Sequence, residues 1–347
     1  MNLREQFDAP APAIILAEGQ FGETGAKTAH GVVMHSEVFE AAVIVDSSQA
    51  GRTADEVLGR DDIEPVPIVG SMTDALEQAP EAKALVIGVA PAGGALPEEW
   101  IPAIREAMAA ECDVVSGLHI FLGDDPEWAD YAADCGVEIF DVRKPPEEDD
   151  LRVADGRIDE YDADVVLTLG TDCAIGKRTT TFELYRAARE AGLDAGWVAT
   201  GQTGIMVGAH RGVVMDRVPA DFTAGVMEDL VCGVAEDHDL VFVEGQGALT
   251  HRAYSGVTLS ILHGSWPDVV VLADEPDREQ RSHFEQWPVR GIETEIELIE
   301  TLAETTVAAI STWGDPETVA ADYGLPAGNV YHDDGPAALL DAVTEGL

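Results

Sequence analysis

The chain alternates between short, continuous apolar runs and longer stretches whose apolar residues recur at helical spacing. In the first half, the apolar runs predict buried parallel strands and the stretches between them predict helices. The predicted strands are residues 13–19, 41–46, 67–69, 84–89, 112–117 and 137–142, and the predicted helices are 27–35, 72–78, 97–110 and 126–134. Strands separated by helices in this way indicate a complete doubly wound, Rossmann-like α/β domain.

The same alternation resumes in the second half. Strands are predicted at 165–170, 195–199, 240–244, 269–272 and 307–310, and helices at 181–191, 223–235, 292–302 and 336–343. Between the halves, residues 144–150 form a proline-led, charged segment that is typical of a linker. We therefore predict two α/β domains, residues 1–150 and 151–347, and a mostly parallel sheet in the second.

A turn rich in glycine follows the first predicted strand. Gly19, Gly22 and Gly25 are spaced Gly-x-x-Gly-x-x-Gly, and the acid Asp46 follows further along the chain. A dinucleotide-binding fingerprint has the spacing Gly-x-Gly-x-x-Gly, with an acid about 20 residues beyond it. Because the spacing differs, we interpret this segment as an ordinary strand-to-helix turn rather than a nicotinamide site.

The strongest chemical signal follows the strand at 165–170. A short polar loop leads to a glycine and a lysine that open the next helix, and the backbone N–H groups of such a turn bind anions together with the positive end of the helix dipole. This pattern predicts a P-loop NTPase-like second domain. The predicted phosphate-binding residues are Gly170, Thr171, Asp172, Gly176, Lys177, Arg178 and Thr179.

The composition is strongly acidic. Asp and Glu total 66 against 20 Lys and Arg, which gives a formal net charge of -46. Such a surface repels nucleic acid and anionic membranes, so we expect neither as a partner. Lysine occurs only at positions 27, 83, 144 and 177, a composition typical of halophilic proteins that fold in concentrated potassium. A small-molecule substrate is expected, and assembly into a homo-oligomer is left open.

The spacing of the cysteines and the hydropathy pattern indicate the cellular compartment in which the protein is found. The four cysteines show no Cys-x-x-Cys spacing, which argues against a zinc site or a disulfide framework. No secretory signal opens the chain, and no apolar run approaches the roughly 18 residues that span a bilayer. We expect a cytoplasmic protein that holds no metal.

Two resemblances to known families rest on these motifs. The segment Gly-Thr-Asp-Cys-Ala-Ile-Gly-Lys at 170–177 is similar to the loop of dethiobiotin synthetases, and Val-Glu-Gly at 243–245 resembles the acidic strand end of that family. The whole chain resembles a two-domain family that includes D-glutamate N-acetyltransferases. The matching segments are residues 25–29, 170–180, 200–203, 244–247 and 262–268. The second resemblance implies acetyl transfer from acetyl-CoA to the amino group of D-glutamate.

The phosphate loop departs from the Walker pattern in a way that suits CoA. Arg178 stands where ATP-hydrolysing proteins have a magnesium-binding hydroxyl, and Thr179 lies about 100° further around the helix. The phosphates of CoA need only to be held, which Lys177, Arg178 and the loop amides do without metal. The alternatives are an ATP- and magnesium-dependent ligase or kinase of the dethiobiotin synthetase type, and a non-catalytic nucleotide-binding regulator.

Acetyl transfer to an amine requires a base and cations for the acceptor's carboxylates. The predicted catalytic residues are Glu244, His210 and His263, and His251 is a further candidate base. The predicted substrate-binding residues are Lys27, Arg211 and Arg252. Cys173 lies within the loop, where we interpret it as a small residue that fills a tight turn, because the sequence places no histidine beside it to activate the thiol.

Overall fold

The structure of the protein is a computed structural model that describes residues 1–89, 91, 94–332 and 334–347. The chain forms two compact units. The first comprises Met1–Lys144 with Gly201–Ala209, and the second comprises Pro145–Thr200 with His210–Leu347. The predicted domain bounds of 1–150 and 151–347 stay a prediction.

The first unit is built around a six-stranded sheet. The strand order is β3-β2-β1-β4-β5-β6, and the paired strands run parallel. Its elements are β1 Ala11–Leu16, α1 Lys27–His35, β2 Phe39–Val45, α2 Ala54–Leu58, β3 Ile68–Val69, α3 Met72–Gln78, β4 Ala84–Ile87, α4 Ile101–Ala109, β5 Asp113–Ser116, α5 Pro126–Cys135 and β6 Ile139–Asp141. This order is the doubly wound arrangement that the strand–helix alternation predicted.

Asp46 holds the glycine turn of the first unit together. Its buried carboxylate accepts hydrogen bonds from the backbone N–H groups of Gln20 at 3.1 Å, Phe21 at 2.8 Å and Ser48 at 2.8 Å. Buried acids are stable when such donors satisfy them. Asp46 therefore serves to fix the backbone that follows β1, in keeping with an ordinary strand-to-helix turn.

The second unit is built around a seven-stranded sheet of order β15-β14-β11-β7-β10-β8-β9, with parallel pairs. Its strands are β7 Asp164–Gly170, β8 Ala195–Ala199, β9 Arg211–Gly212, β10 Leu240–Glu244, β11 Val269–Asp274, β14 Thr306–Thr312 and β15 Ala327–Gly328. Its helices are α6 Lys177–Glu190, α8 Thr223–Ala235, α9 Ser255–Ser265, α10 Ile292–Leu302, α11 Pro316–Tyr323 and α12 Gly335–Gly346. An antiparallel pair, β12 Gln280–Arg281 and β13 Phe284–Pro288, follows β11.

Helix α7, Gln202–Val207, belongs to the first unit although it follows β8 in the chain. The hydroxyls of Thr203 and Thr28 lie 2.8 Å apart, and Ser36 Oγ donates to the Met206 carbonyl at 3.0 Å. These bonds connect α7 to the beginning and the end of α1. Only the tertiary structure reveals this exchange, because the sequence pattern assigns residues 201–209 to the second half.

The register of the second sheet determines which residues meet at its carboxyl edge. Gly170 at the end of β7 pairs with Ala273 of β11, and Thr168 pairs with Glu244 at the end of β10. Val165, Leu167 and Leu169 point into one core layer because successive side chains of a strand alternate between faces. The phosphate loop, Glu244 and the loop after β11 therefore share one edge.

Across the described ranges, the helices are too short or too polar for any of them to cross a membrane.

Candidate functional site

The phosphate loop, residues 171–176, lies between two places where the turn requires glycine: Gly170, the last residue of β7, and Gly176, the last residue of the loop. A Cβ atom on Gly170 would lie 2.7 Å from Ile175 Cδ1 and 3.0 Å from the Ala273 carbonyl oxygen, closer than packing permits. Gly176 has φ +93°, in the left-handed region that favours glycine. These two residues let β7 turn tightly into α6, so that the first N–H groups of the helix face the loop.

The start of the loop is tied to the end of β11. Thr171 N–H donates to the Ala273 carbonyl at 3.1 Å, and its hydroxyl donates to Asp274 Oδ1 at 2.7 Å. Burial raises the pKa of Asp274, while the hydroxyl of Thr171 opposes that shift. Thr171 therefore uses its side chain to hold the loop against the sheet.

Asp172 is the centre of a buried ionic cluster. Its carboxylate accepts hydrogen bonds from Arg281 Nη1 and Arg278 Nη1, both at 3.3 Å, and from Ser282 N–H at 2.9 Å. Burial alone would raise the pKa of Asp172, but these donors outweigh it and hold the pKa below its usual range. Because its bonding capacity is used internally, Asp172 shapes the loop.

The two arginines also bind the loop backbone. Arg281, only 2% exposed, donates to the Thr171 carbonyl at 3.0 Å and to Thr250 Oγ1 at 2.5 Å. Arg278 donates to the Cys173 carbonyl at 2.6 Å. Arg281 lies in β12 and Arg278 lies just before it. Their hydrogen bonds therefore hold the β12–β13 hairpin against the backbone of the phosphate loop.

Lys177 is the first residue of α6 and is 7% exposed. Its ammonium group donates to the Asp172 carbonyl at 2.5 Å. Burial lowers the pKa of Lys177 to about 8, while nearby acidic groups, among them Asp172 and Glu244, oppose that shift. A buried ammonium group at a helix N-terminus is suited to an anion that replaces its lost hydration.

Arg178 and Thr179 follow on the same helix turn, and both are half-buried. Burial lowers the pKa of Arg178, and the negative charge of Glu244 opposes this. Arg178 is thus a second cation close to the loop. Thr180 points elsewhere, since its hydroxyl lies 2.8 Å from that of Ser311.

Glu244 lies at the carboxyl end of β10 and is 8% exposed. Its Oε2 accepts the N–H of Thr200 at 3.0 Å, and its backbone carbonyl accepts the Thr200 hydroxyl at 2.9 Å. Its charge stabilises the cationic forms of both Lys177 and Arg178. The structure therefore brings the predicted acid and the predicted phosphate cations into one electrostatic cluster.

His251 lies beside the loop, a proximity that the sequence did not indicate. The ring is fully buried, and its Nδ1 accepts the N–H of Ala253 at 3.2 Å, so a neutral ring carries its proton on Nε2. Burial lowers the pKa of His251, as does the charge of Arg281, and both effects favour the neutral form of the ring. Within the described part of the chain Nε2 has no hydrogen-bond partner, and it lies 3.9 Å from Asp172 Oδ1. A nitrogen that carries a proton is not a base.

Cys173 is close to this ring as well. The Cys173 thiol, a carboxylate oxygen of Asp172 and a ring nitrogen of His251 lie within 4.8 Å of one another. A cation is disfavoured there because Asp172 is already bonded to two guanidinium groups. Burial raises the pKa of the Cys173 thiol, and the neighbouring ring is a donor, so neither condition favours a thiolate. The sequence did not place His251 beside Cys173, and this proximity appears only in the tertiary structure. The interpretation of Cys173 as a small residue in a tight turn stays a prediction.

Arg252 joins an aromatic cluster next to His251. Its guanidinium lies 4.8 Å from the ring of Trp287, which stacks on Phe284 at 4.9 Å. Tyr254 stacks on His251 at 4.7 Å. Arg252 is exposed, so this cation is accessible from solvent at the rim of the cluster.

The remaining predicted residues are His210, His263, Lys27 and Arg211. His210 accepts the N–H of Trp197, in the middle of β8, at 3.1 Å, and its ring packs against His238. His263 lies near the end of α9, which leads into the amino end of β11, and its ring is 3.1 Å from the Leu302 carbonyl. Because the loop occupies the carboxyl edge, the sheet separates it from His263. Lys27 opens α1 in the first unit with an exposed side chain, and Arg211 begins the edge strand β9.

Comparison with known proteins places this fold and loop in a family. A family model described as the P-loop domain of DUF1611, a domain of unknown function, matches residues 152–340. A second, described as its Rossmann-like N-terminal domain, matches residues 47–145. The chain belongs to the DUF1611 family. The Rossmann-like and P-loop predictions are thereby confirmed.

Individual relatives of this DUF1611 chain agree with that assignment. A protein named D-glutamate N-acetyltransferase from Tritonibacter scottomollicae is 36% identical over 288 residues, which cover 78% of this chain and 84% of the relative. A protein of the same name from a Pseudoalteromonas species is 37% identical over 226 residues, 65% of this chain and 66% of the relative. The crystal structure of a DUF1611 family protein from Anabaena variabilis ATCC 29413 has a TM-score of 0.86 and 32% identity, and covers 96% of this chain and 99% of that one.

The site of this DUF1611 protein includes residues that sequence reasoning missed. Arg278 and Arg281 were not predicted, although they follow the carboxyl end of a buried strand in a chain with few basic residues. That position was a usable signal, because loops at the carboxyl ends of parallel strands line sites in open α/β sheets. Their meeting with Asp172, more than 100 residues earlier, had no local signal.

Proposed function

We propose that this chain transfers the acetyl group of acetyl-CoA to the amino group of D-glutamate. The observation that carries the proposal is the 36% identity to a D-glutamate N-acetyltransferase over 78% of the chain. The enzyme is an acyltransferase with a small-molecule substrate.

The phosphate loop suits the phosphates of CoA. Lys177 and Arg178 supply two cations at the N-terminus of α6, and the loop amides supply donors at the positive end of the helix dipole. Because Lys177 is almost fully buried, its charge is poorly hydrated and gains most from an anionic ligand. We propose that these groups hold the CoA diphosphate still while acetyl transfer takes place further along the ligand.

Magnesium chemistry does not fit the same residues. A hydroxyl directly after the lysine normally holds the ion between ATP phosphates. Here that residue is Arg178, whose positive charge opposes a cation, and the Thr180 hydroxyl is used by Ser311. Magnesium therefore has no part in the proposed reaction, and these residues favour acyl transfer over ATP-dependent ligation.

We propose Glu244 as the base. The amino nitrogen of D-glutamate forms a bond to the acetyl carbonyl carbon, the carbon–sulfur bond breaks, and CoA leaves as a thiol. The proton released from the amine passes to the Glu244 carboxylate and then to the leaving sulfur or to water. Glu244 is suited to this role because it lies at the same sheet edge as the loop. His210 and His263 have other partners, and we assign them no part.

Acceptor recognition requires cations for two carboxylates. Arg252 is an exposed cation near the loop, held over Trp287, and we propose it as one such group. Roles for Lys27 and Arg211 in substrate binding stay predictions. A cytoplasmic location also stays a prediction.

The proposal is tested by measuring free thiol released from acetyl-CoA in molar potassium chloride, with D-glutamate, L-glutamate or no amine. We expect release with D-glutamate and formation of its N-acetyl derivative by mass spectrometry. Lys177→Ala should reduce kcat/KM at least tenfold, as expected for a charged phosphate contact, whereas Lys83→Ala, at an exposed lysine, should not.

The rival functions predict other outcomes of the same assay. Magnesium-dependent phosphate release from ATP on adding an amino acid would instead support a ligase or kinase. Tight nucleotide binding without turnover of acetyl-CoA or ATP would support a regulator. Absence of thiol above the amine-free blank would refute acetyl transfer.

A further inference from the structure

Two exposed aromatic side chains, Trp313 and Tyr331, form a pair at the carboxyl edge of the second sheet. Trp313 directly follows β14, and Tyr331 follows β15. Their ring centroids lie 6.0 Å apart with an interplanar angle of 79°. Trp313 is 43% exposed and Tyr331 is 51% exposed, whereas Trp197 in the same unit is fully buried. We call these two residues the aromatic pair.

The aromatic pair lies against the phosphate loop. A Cβ atom on Gly176 would lie 3.0 Å from Trp313 Nε1 and 3.5 Å from the Tyr331 hydroxyl oxygen. Gly176 immediately precedes Lys177, the first residue of α6. The aromatic pair therefore lies next to the N–H groups at the start of α6 and to the lysine. Burial lowers the pKa of Arg178, and Tyr331, like Glu244, opposes that shift, so the Tyr331 hydroxyl is also near this cation. Polar anion-binding groups and flat apolar surface are therefore contiguous.

The two rings of the aromatic pair are both exposed and lie next to each other. Aromatic residues make up only 6% of the sequence, and an aromatic ring in water forgoes the stabilisation that its burial would provide. The pair is also held in place. Tyr331 N–H donates to Asn329 Oδ1 at 3.0 Å, and Trp313 N–H donates to the Asp274 carbonyl at 3.2 Å. Fixed rings beside an anion site are suited to a ligand that is flat at one end and anionic at the other.

We infer that the aromatic pair stacks the adenine ring of a nucleotide whose phosphates lie in the loop. The ligand class is an adenine nucleotide with a 5′-diphosphate, which CoA contains. The near-perpendicular arrangement lets a base stack on the face of one ring while its edge meets the other. The inference rests on the phosphate site of the proposed function, but it concerns recognition of the base, which that proposal leaves unassigned.

The sharpest test compares two acetyl donors. Acetyl-CoA carries adenine, whereas acetyl-pantetheine lacks both adenine and phosphates. For Trp313→Ala, we expect the KM for acetyl-CoA to rise about tenfold, as loss of one stacking contact does, with kcat unchanged. The kcat/KM for acetyl-pantetheine should equal that of the wild type. Tyr331→Ala should behave in the same way, and Trp266→Ala, at an exposed tryptophan at the amino edge, should leave both donors unaffected. An unchanged KM for acetyl-CoA in both pair variants would overturn the inference.

A binding experiment separates this inference from the proposed function. ADP is titrated into wild-type protein and each variant, with quenching of tryptophan fluorescence or calorimetry as the readout. We expect the ADP Kd to rise about tenfold in Trp313→Ala and Tyr331→Ala and to stay constant in Trp266→Ala. If no acetyl transfer occurs but this pattern holds, the proposed function fails and the adenine site stands. Equal ADP affinity in all four proteins, or no ADP binding by the wild type, would refute the adenine site.

Discussion

Lys177 is the residue whose charge matters most to the loop, and its burial makes that charge dependent on pH. Because the pKa of Lys177 is lowered to about 8, the side chain is a cation below pH 8 and becomes neutral as the pH rises through that value. A bound phosphate raises this pKa again, since an anion favours the charged form. Ligand binding therefore takes up a proton above pH 8.

The expected consequence is a pH-dependent affinity for CoA. The Kd should be nearly constant from pH 7 to 8 and should rise above pH 8, by at most about tenfold per pH unit. Calorimetry between pH 6.5 and 9.5 measures this directly. Lys177→Arg is the matched variant, because a guanidinium group does not titrate in this range. A slope that persists in Lys177→Arg would show that another group is responsible.

Asp172 is expected to contribute to stability rather than to ligand contact. In Asp172→Asn the cluster loses the negative charge that faces Arg278 and Arg281. Removing one partner of a buried ion pair typically costs about 3–5 kcal/mol, whereas an exposed pair is worth less than about 1 kcal/mol. We therefore expect a fall of about 3 kcal/mol in the free energy of unfolding, measured by urea titration. Asp149→Asn, at an exposed acid, is the control and should change stability little.

Helix α10 supports the site through one buried carboxylate. Glu295, 1% exposed, accepts hydrogen bonds from Leu249 N–H at 3.0 Å, Thr250 N–H at 3.1 Å and the Thr250 hydroxyl. Thr250 Oγ1 in turn accepts from Arg281, which bonds the phosphate loop. A chain of hydrogen bonds thus connects α10 to the loop between β7 and α6.

Glu295→Gln should weaken these hydrogen bonds. The side-chain NH₂ of glutamine is a donor, and it would face the three donors of Leu249 and Thr250 that need acceptors. We expect a loss of about 1–3 kcal/mol in stability and faster amide hydrogen exchange at residues 249–251. Glu297→Gln, at an exposed position on the same helix, is the control. Unchanged exchange at residues 249–251 in Glu295→Gln would contradict the role given to Glu295.

Some elements were predictable because their patterns are local. Helices α1, α3, α8 and α10 begin and end where the spacing of apolar residues and the flanking residues predicted. Helix α9 was not predicted. It packs on α8 so closely that a Cβ atom on Gly264 would lie 2.3 Å from the Ala224 carbonyl oxygen, and its apolar residues surround the axis rather than forming one stripe.

The β12–β13 pair also escaped prediction, because most of its side chains are polar or exposed and its strands are short. Periodicity identifies elements by their contribution to a core, and this hairpin contributes little to one. Its function in the fold is to carry Arg281 to the phosphate loop, which no local pattern reports.

For the whole molecule, the net charge of -46 predicts a strong dependence of stability on salt. Repulsion among exposed carboxylates acts over about 30 Å in 0.01 M salt but over only about 3 Å in 1 M salt. We expect the Tm to rise from 0.05 M to 2 M KCl, by roughly 2–4 °C for each kcal/mol gained. Differential scanning calorimetry in KCl, with sucrose of equal osmolality as the uncharged control, measures this. A Tm equal at both salt concentrations would contradict a halophilic adaptation.

The sequence by itself determined the class of the molecule: two α/β halves, a phosphate loop from Gly170 to Lys177, and the family to which the chain belongs. These follow from local causes, since strand and helix periodicity, glycine conformations and the N-terminus of a helix all act over a few residues. The tertiary structure decided which distant side chains meet. It brought Arg281 and His251 to Asp172, and Trp313 to Gly176, while it left His263 at the far edge of the sheet. Strand order and loop path control those distances, and no short-range pattern encodes them.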